Sequence, residues 1–341
     1  MHRVFLLLLL LVVVVFPAFP QDETFLYKRE NHSTSIGFER ATRQTRYFSA
    51  AFGINIHAYA GDLTPNERYI SNGLKAIRPG IGAAVSYNFS PRVFFSGEMS
   101  YGRIVGDDFN ADPYGKSSRK YVRNLSFRND LIGLTLRANA NVLRDPFEFY
   151  KRKDFNAYFF TGIALFYSNP KARVPATDRA GEVFENSGEW VALRPLGTEG
   201  QNHPDYGKKY GALQVGLPLG SGLRFRLGYR TDLQVEGTIF YILSDYIDDI
   251  GNSFVDLGVF DNELARSLSD RSMEAVAVVS GEMRNKQAIL DLTTEYTYES
   301  AYDGNTYTVF ANMGEDGGLR GGGRNDFVGT LSIKICYIFT H

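Results

Sequence analysis

The stretch from Asp326 to His341 alternates along its whole length. Its odd positions are Phe327, Gly329, Leu331, Ile333, Ile335, Tyr337 and Phe339; its even positions include Thr330, Ser332, Lys334 and Cys336. Successive side chains of an extended chain point to opposite sides, so this pattern is a strand with one apolar face. A strand that crosses lipid takes about 9–11 tilted residues with aromatics near the interface. The segment is therefore expected to be the closing strand of an outer-membrane β-barrel, with Phe339 as a recognition residue for insertion.

The N-terminus is consistent with export. Met1-His2-Arg3 is a short basic start, Val4–Phe16 is an unbroken apolar run, and Pro17, Ala18, Phe19, Pro20 and Gln21 follow. The run is too short to span a membrane as a helix and reads as a signal peptide over residues 1–21. Residues 22–46 are expected to be a periplasmic lead, and residues 47–341 the barrel. One Cys, Cys336, excludes an intramolecular disulfide framework and a Cys-based zinc site. The net charge of −1 argues against nucleic acid as a partner. Aromatics at 14% and 34 glycines suit strands with aromatic girdles and tight turns.

Period-two segments recur upstream. Strands are expected at Tyr47–Ala60, Pro79–Phe89, Val93–Val105, Val122–Asn139, Phe155–Tyr167, Tyr210–Leu217 and Leu223–Phe240, before the last one. Ser90-Pro91-Arg92 and Leu219-Gly220-Ser221-Gly222 read as tight turns. Long connections alternate with short ones, as in barrels with short periplasmic turns and long extracellular loops. The fold class is thus all-β: a transmembrane antiparallel up-and-down β-barrel of eight strands with long extracellular loops and both termini periplasmic. Ten strands is the alternative, since Leu290–Tyr298 and Thr306–Met313 flank the turn Tyr302-Asp303-Gly304-Asn305. Asp291, Glu295 and Glu299 on that hairpin place it outside lipid.

An eight-stranded barrel is just wide enough to be filled by side chains. The inward set is expected to include Glu98, Arg224, Arg226, Arg230, Asp232 and Glu236, paired into a lumenal ion network that plugs the barrel; the rival is a selective ion path. No HExxH pair and no Gly-x-Ser-x-Gly elbow occurs, so no catalytic residue, metal or cofactor is assigned. The acidic cluster Asp245-Tyr246-Ile247-Asp248-Asp249-Ile250 reads as a solvated rim or turn cap, with Ca²⁺ binding as the alternative. The glycine-rich segment from Gly317 to Arg324 reads as a mobile outer loop.

Several ordered blocks resemble one family. They are Tyr59-Ala60-Gly61-Asp62-Leu63, Arg78-Pro79-Gly80-Ile81-Gly82, Tyr101 to Asp108, Arg123-Asn124-Leu125-Ser126-Phe127, Phe160 to Ala172, Asp245 to Ile250, and Asn325-Asp326-Phe327. Together they resemble the Bacteroidota outer-membrane barrel family of uncharacterised domains that includes PorG, a component of the type IX secretion and gliding machinery. The resemblance implies a non-enzymatic barrel in the Gram-negative outer membrane, embedded in its lipids. It also implies periplasmic ring lipoproteins of the secretion apparatus as partners; the residues identify no small-molecule substrate. Asp245, Tyr246, Asp248, Asp249, Gly61 and Asp62 are then the family-motif or partner-contact candidates. Lys28, Arg29, Arg40, Arg43 and Arg46 of the lead, with Arg144, Lys151, Arg152 and Lys153 of the 140–154 turn, are candidates to dock an acidic partner surface. A long last outer connection and an insertion over residues 173–209 depart from the family pattern. The other function classes are a general structural barrel of the OmpA type and a small-molecule channel or receptor.

Overall fold

A computed structural model describes residues 47–64, 76–146, 149–323 and 325–339. The expected signal peptide and the basic lead lie outside the described residues, as does Arg324. Among the described residues twelve strands are formed: β1 (Tyr47–Ala60), β2 (Arg78–Asn88), β3 (Val93–Asp107), β4 (Ser126–Asn141), β5 (Phe155–Tyr167), β6 (Lys171–Arg173), β7 (Trp190–Ala192), β8 (Leu213–Arg226), β9 (Thr231–Ile242), β10 (Glu295–Glu299), β11 (Thr306–Phe310) and β12 (Phe327–Phe339). Short helices lie in the connections: α1 (Ser118–Arg123), α2 (Leu193–Leu196), α3 (Glu263–Ser269) and α4 (Lys286–Leu290).

Eight of the strands pair antiparallel in the order β3-β2-β1-β12-β9-β8-β5-β4, and β3 pairs with β4 to close the ring. Closure leaves no open edge in the wall, the condition for a β-structure in lipid. β10 and β11 pair only with each other, outside the ring, so the count is eight rather than ten. β6 continues the β5 side of the wall, meeting β4 at Arg128 opposite Lys171, and β7 pairs with β6.

The ring is inside-out relative to a water-soluble protein. Phe52, Ile54, Met99, Leu136, Ile163, Leu219 and Ile333 are exposed on its outer side. Asn55, Glu98, Arg137, Glu236 and Lys334 are buried inside it. An apolar belt of this extent around a polar interior suits a membrane-spanning barrel. Exposed Tyr101, Tyr167 and Tyr241 mark one end of the belt, and Phe48, Phe89, Phe95, Tyr337 and Phe339 the other. The connections at the first end are long (61–77, 108–125, 168–212, 243–326), and those at the second are short (89–92, 142–154, 227–230).

Two expected boundaries are corrected. Val122 does not begin a strand: it is buried in α1, which ends where Asn124 adopts a left-handed backbone (φ 59°) that Asn tolerates, and β4 starts at Ser126. Residues 219–222 are not a turn but the middle of β8. Gly220 and Gly222 point inward, where a Cβ would overlap the rings of Phe160 and Tyr158 from β5. These glycines make room for lumenal aromatics. The real turn is Leu227–Arg230, closed by Leu227 N–H and Gly228 N–H donating to Thr231 O at 2.9 and 3.0 Å.

Candidate functional site

Three polar layers cross the lumen. In the middle, Arg137 of β4 and Lys334 of β12 alternate with Glu98 of β3 and Glu236 of β9. Arg137 lies 2.8 Å from Glu236 and 3.2 Å from Glu98; Lys334 lies 2.6 Å from Glu98 and 2.8 Å from Glu236. Two cations and two carboxylates thus form a closed ring. Tyr158 O–H donates to Glu236 at 2.7 Å, and the Arg137 guanidinium lies 4.4 Å from the Phe160 ring centre. Desolvation of these charges is offset only because each has two or more partners.

The second layer closes the short-turn end. Arg152, almost fully buried, lies 2.7 Å from Asp232, and Arg224 lies 2.7 Å from Asp145. Arg152 also donates to the carbonyls of Phe149, Tyr229 and Gly228, which ties the 142–154 connection to the 227–230 turn.

Of the expected lumenal residues, Glu98, Arg224, Asp232 and Glu236 are in these layers. Arg226 and Arg230 are not. With the turn at 227–230, Arg226 sits at the end of β8, 3.8 Å from the solvent-facing Asp154, and Arg230 is exposed and donates to Tyr337 Oη outside the barrel. Arg152 is corrected as well: it is a lumenal plug, while Arg144, Lys151 and Lys153 remain exposed. Arg137, Lys334, Arg152, Asp145 and Tyr158 were not singled out for the network from sequence. Lys334 lies on the polar face of the last strand, which was the available signal. Arg152 and Asp145 come from a connection, where parity gives none.

The third layer is at the long-loop mouth, and the resemblance blocks converge there. Tyr59, the last buried residue of β1, has its hydroxyl 2.5 Å from Asp248 Oδ2 and 2.9 Å from Asp326 Oδ1. One hydroxyl has one proton, so a carboxylic O–H on one of the two acids, donating to the phenol oxygen, would complete both contacts. Burial and the nearby Asp326 hold Asp248 well above the usual carboxylate range, and burial chiefly, with Asp245 adding, raises Asp326. Gly61 packs against this trio, and any Cβ there would overlap Asp326 and Tyr59. Ile247 N–H donates to Asp326 at 3.2 Å, and Asn129 of β4 donates to Ile247 O at 2.7 Å. The acidic segment is thereby tied to β1, to β4 and to the residue that precedes β12.

Asp249 takes a left-handed backbone (φ 73°) and accepts from Tyr210 Oη at 2.5 Å and from the Thr198 hydroxyl. Burial pushes its carboxyl up to about 6 against the pull of Arg320. Arg320 itself binds Glu199 at 2.9 Å and Asp249 O at 2.9 Å. Arg123 chelates Asp108 at 2.7 and 2.9 Å and donates to Asp62 O at 2.9 Å and to Arg320 O. Asp62 accepts from Gly322 N–H at 2.8 Å. Tyr246 stacks on Tyr210 with ring centres 4.7 Å apart. Asp245 is half-buried; desolvation first, then the Asp62 and Glu199 carboxylates, push it up to about 7.

The acidic cluster is therefore no solvated rim. Asp248 and Asp249 are buried, out of direct reach of a partner, and hold the loop cap on the barrel. Their carboxylates turn to different partners. Among the described residues no group of three His, Cys, Asp or Glu side chains could hold a metal ion. The Gly317–Gly323 part of the glycine-rich segment is anchored through Arg320 and Gly322 and buried in part. His57 faces the lumen, its Nδ1 2.9 Å from Thr330 Oγ1.

No family model and no curated protein matches the chain. Solved structures that it resembles include Neisserial surface protein A (9% identity, TM-score 0.35, covering 86% of this chain and 97% of that one). Others are the attachment invasion locus protein Ail of Yersinia pestis (9%, TM-score 0.33, 86% and 97%) and the outer membrane protease OmpT of Escherichia coli (8%, TM-score 0.30, 86% and 97%). At such identities and TM-scores these likenesses carry no argument about what the chain does.

Proposed function

We propose that this chain is a non-enzymatic, occluded outer-membrane barrel that serves as an anchor, presenting a folded loop cap on one side of the membrane and short turns on the other. The observation that carries this reading is the closed Arg137–Glu236–Lys334–Glu98 ring across the lumen. Cavities of about 30 and 20 Å³ line the lumen, the first beside His57 and the second beside Arg224. Each has room for about two water molecules, too little for a solute path. This disfavours the channel reading.

The finer role follows the resemblance: a PorG-like component anchoring the type IX secretion and gliding machinery, with periplasmic ring lipoproteins as partners. Supporting it, six of the resembling blocks supply residues to the mouth layer: Tyr59, Gly61 and Asp62; Asp108; Arg123; Asn169, which donates its N–H to Asn129; Asp248 and Asp249; and Asp326. Arg144, Lys151 and Lys153 are exposed cations of the short-turn side that would meet an acidic partner. Deleting the gene should stop type IX cargo from reaching the medium. Reversing those three charges should release the ring lipoproteins from the purified barrel. Normal secretion in the deletion strain would instead favour the general structural barrel.

A further inference from the structure

The outer side of the wall carries a cationic face just beyond the apolar belt. At the long-loop end the row Tyr101–Ile132–Tyr167 closes the belt. One rung further, Arg103 Nε meets Asp130 Oδ1 at 2.5 Å. The next rung sets Arg128 of β4 between Val105 of β3 and Lys171 of β6. Arg173 and Trp190 pair one rung beyond that. Ala172 is buried in the loop cap, so Lys171 and Arg173 share the opposite, outward face. Four residues along a strand are about 13 Å, or about 10 Å of height at a tilt near 40°, which places Arg128 at the headgroup layer.

The electrostatics of this face are incomplete without an anion. Arg128 and Lys171 lie directly opposite each other in the ladder, and like charges so placed repel. The Arg128 guanidinium lies 4.3 Å from the Trp190 ring centre and that of Arg173 5.8 Å from it. Arg128 Nε and Arg173 Nε are buried without a hydrogen-bond partner. Arg173 donates through Nη1 to Val279 O, and among the described residues none of these three cations meets a carboxylate. The acids on this face of the adjoining β3–β4 rungs are engaged: Asp130 with Arg103, and Asp107 with Phe109 N–H.

We propose that Arg128, Lys171 and Arg173, with Trp190 beside the guanidiniums, bind the phosphate of a lipid headgroup in the leaflet next to the long loops. Continuity with the belt selects a lipid over a soluble partner, because the site opens where acyl chains end. Arginine and lysine then supply charge-assisted hydrogen bonds to the phosphate oxygens. The inference rests on the membrane-spanning barrel and not on the secretion role.

Trp190 is the only tryptophan in the chain, so its emission reports on the site directly. The test uses the full-length protein in phosphatidylcholine vesicles doped with bisphosphorylated lipid A or with its dephosphorylated form. The expected result is a saturable emission shift with the phosphorylated lipid only. Native mass spectrometry should show that lipid retained about tenfold better, the scale of one charge-assisted pair. The combined Arg128→Gln, Lys171→Gln, Arg173→Gln variant should lose the preference while keeping heat-modifiable migration on gels. If that variant fails to fold, Lys171→Gln alone should still weaken retention several-fold. Equal response to both lipids, or undiminished retention by the folded variant, overturns the proposal. The same shift with millimolar inorganic phosphate in undoped vesicles overturns the lipid assignment.

Discussion

The lumenal ring depends on single side chains. Lys334 is the sole cation that Glu98 and Glu236 share besides Arg137 among the described residues. Lys334→Met leaves the ring one positive charge short, and a broken buried ion pair costs about 3–5 kcal/mol. The expected outcome is a urea midpoint shifted down accordingly, with restoration in the double variant Lys334→Met, Glu236→Gln. The mouth carboxyls give a pH dependence of defined sign. Asp245 and Asp249 have folded values raised to about 7 and about 6 from 3.8, so each favours the cap most when protonated. Their contribution is full below about pH 4 and is lost as pH rises through 6 to 7, and the raised Asp248 and Asp326 act in the same direction. Hydrogen exchange at the Ile247 and Ile250 amides, corrected for the intrinsic rate, should therefore speed up between pH 5 and pH 8. Constant protection would contradict the burial of these acids.

At the scale of the element, alternation was the dependable signal, because lipid outside and charge inside demand opposite faces of every strand. It placed β1 and β5 to the residue and β12 to within a few residues, and gave the inward parity of Glu98, Arg224, Asp232 and Glu236. It failed where glycine served packing instead of turning. Gly220 and Gly222 look like a turn in sequence, and only the Phe160 and Tyr158 rings across the ladder reveal their purpose. Gly222→Val should accordingly destabilise the barrel by about 1–3 kcal/mol or more through overpacking, whereas Gly228→Ala in the real turn, where a Cβ meets open space, should be nearly silent. Comparing the two variants in urea unfolding checks the reassigned turn. The start of β4 was not legible, because α1 is capped by an Asn in a segment without a clear apolar period.

For the whole molecule, the ring of eight strands was legible, but the knot at the mouth was not. Tyr59, Asp108, Arg123, Asp249 and Arg320 come from connections and strand ends far apart in sequence, and nothing in their local patterns says that they meet. The acidic segment therefore looked like solvated rim, while burial and bonds to Tyr59 of β1, Asn129 of β4 and Asp326 make it the fastening of the loop cap. The same long connections carry β10 and β11, whose Tyr296, Tyr298 and Tyr307 pack on a core of loop residues including Val255, Leu257 and Phe260. The barrel is thus a wall crossed by three polar layers, with structure built on top of it. The measurement that tests this most directly is current through the purified full-length protein in a planar bilayer. Occlusion predicts no steady conductance for the native chain. A stable open channel at neutral pH would contradict the closed lumen and with it the anchor reading.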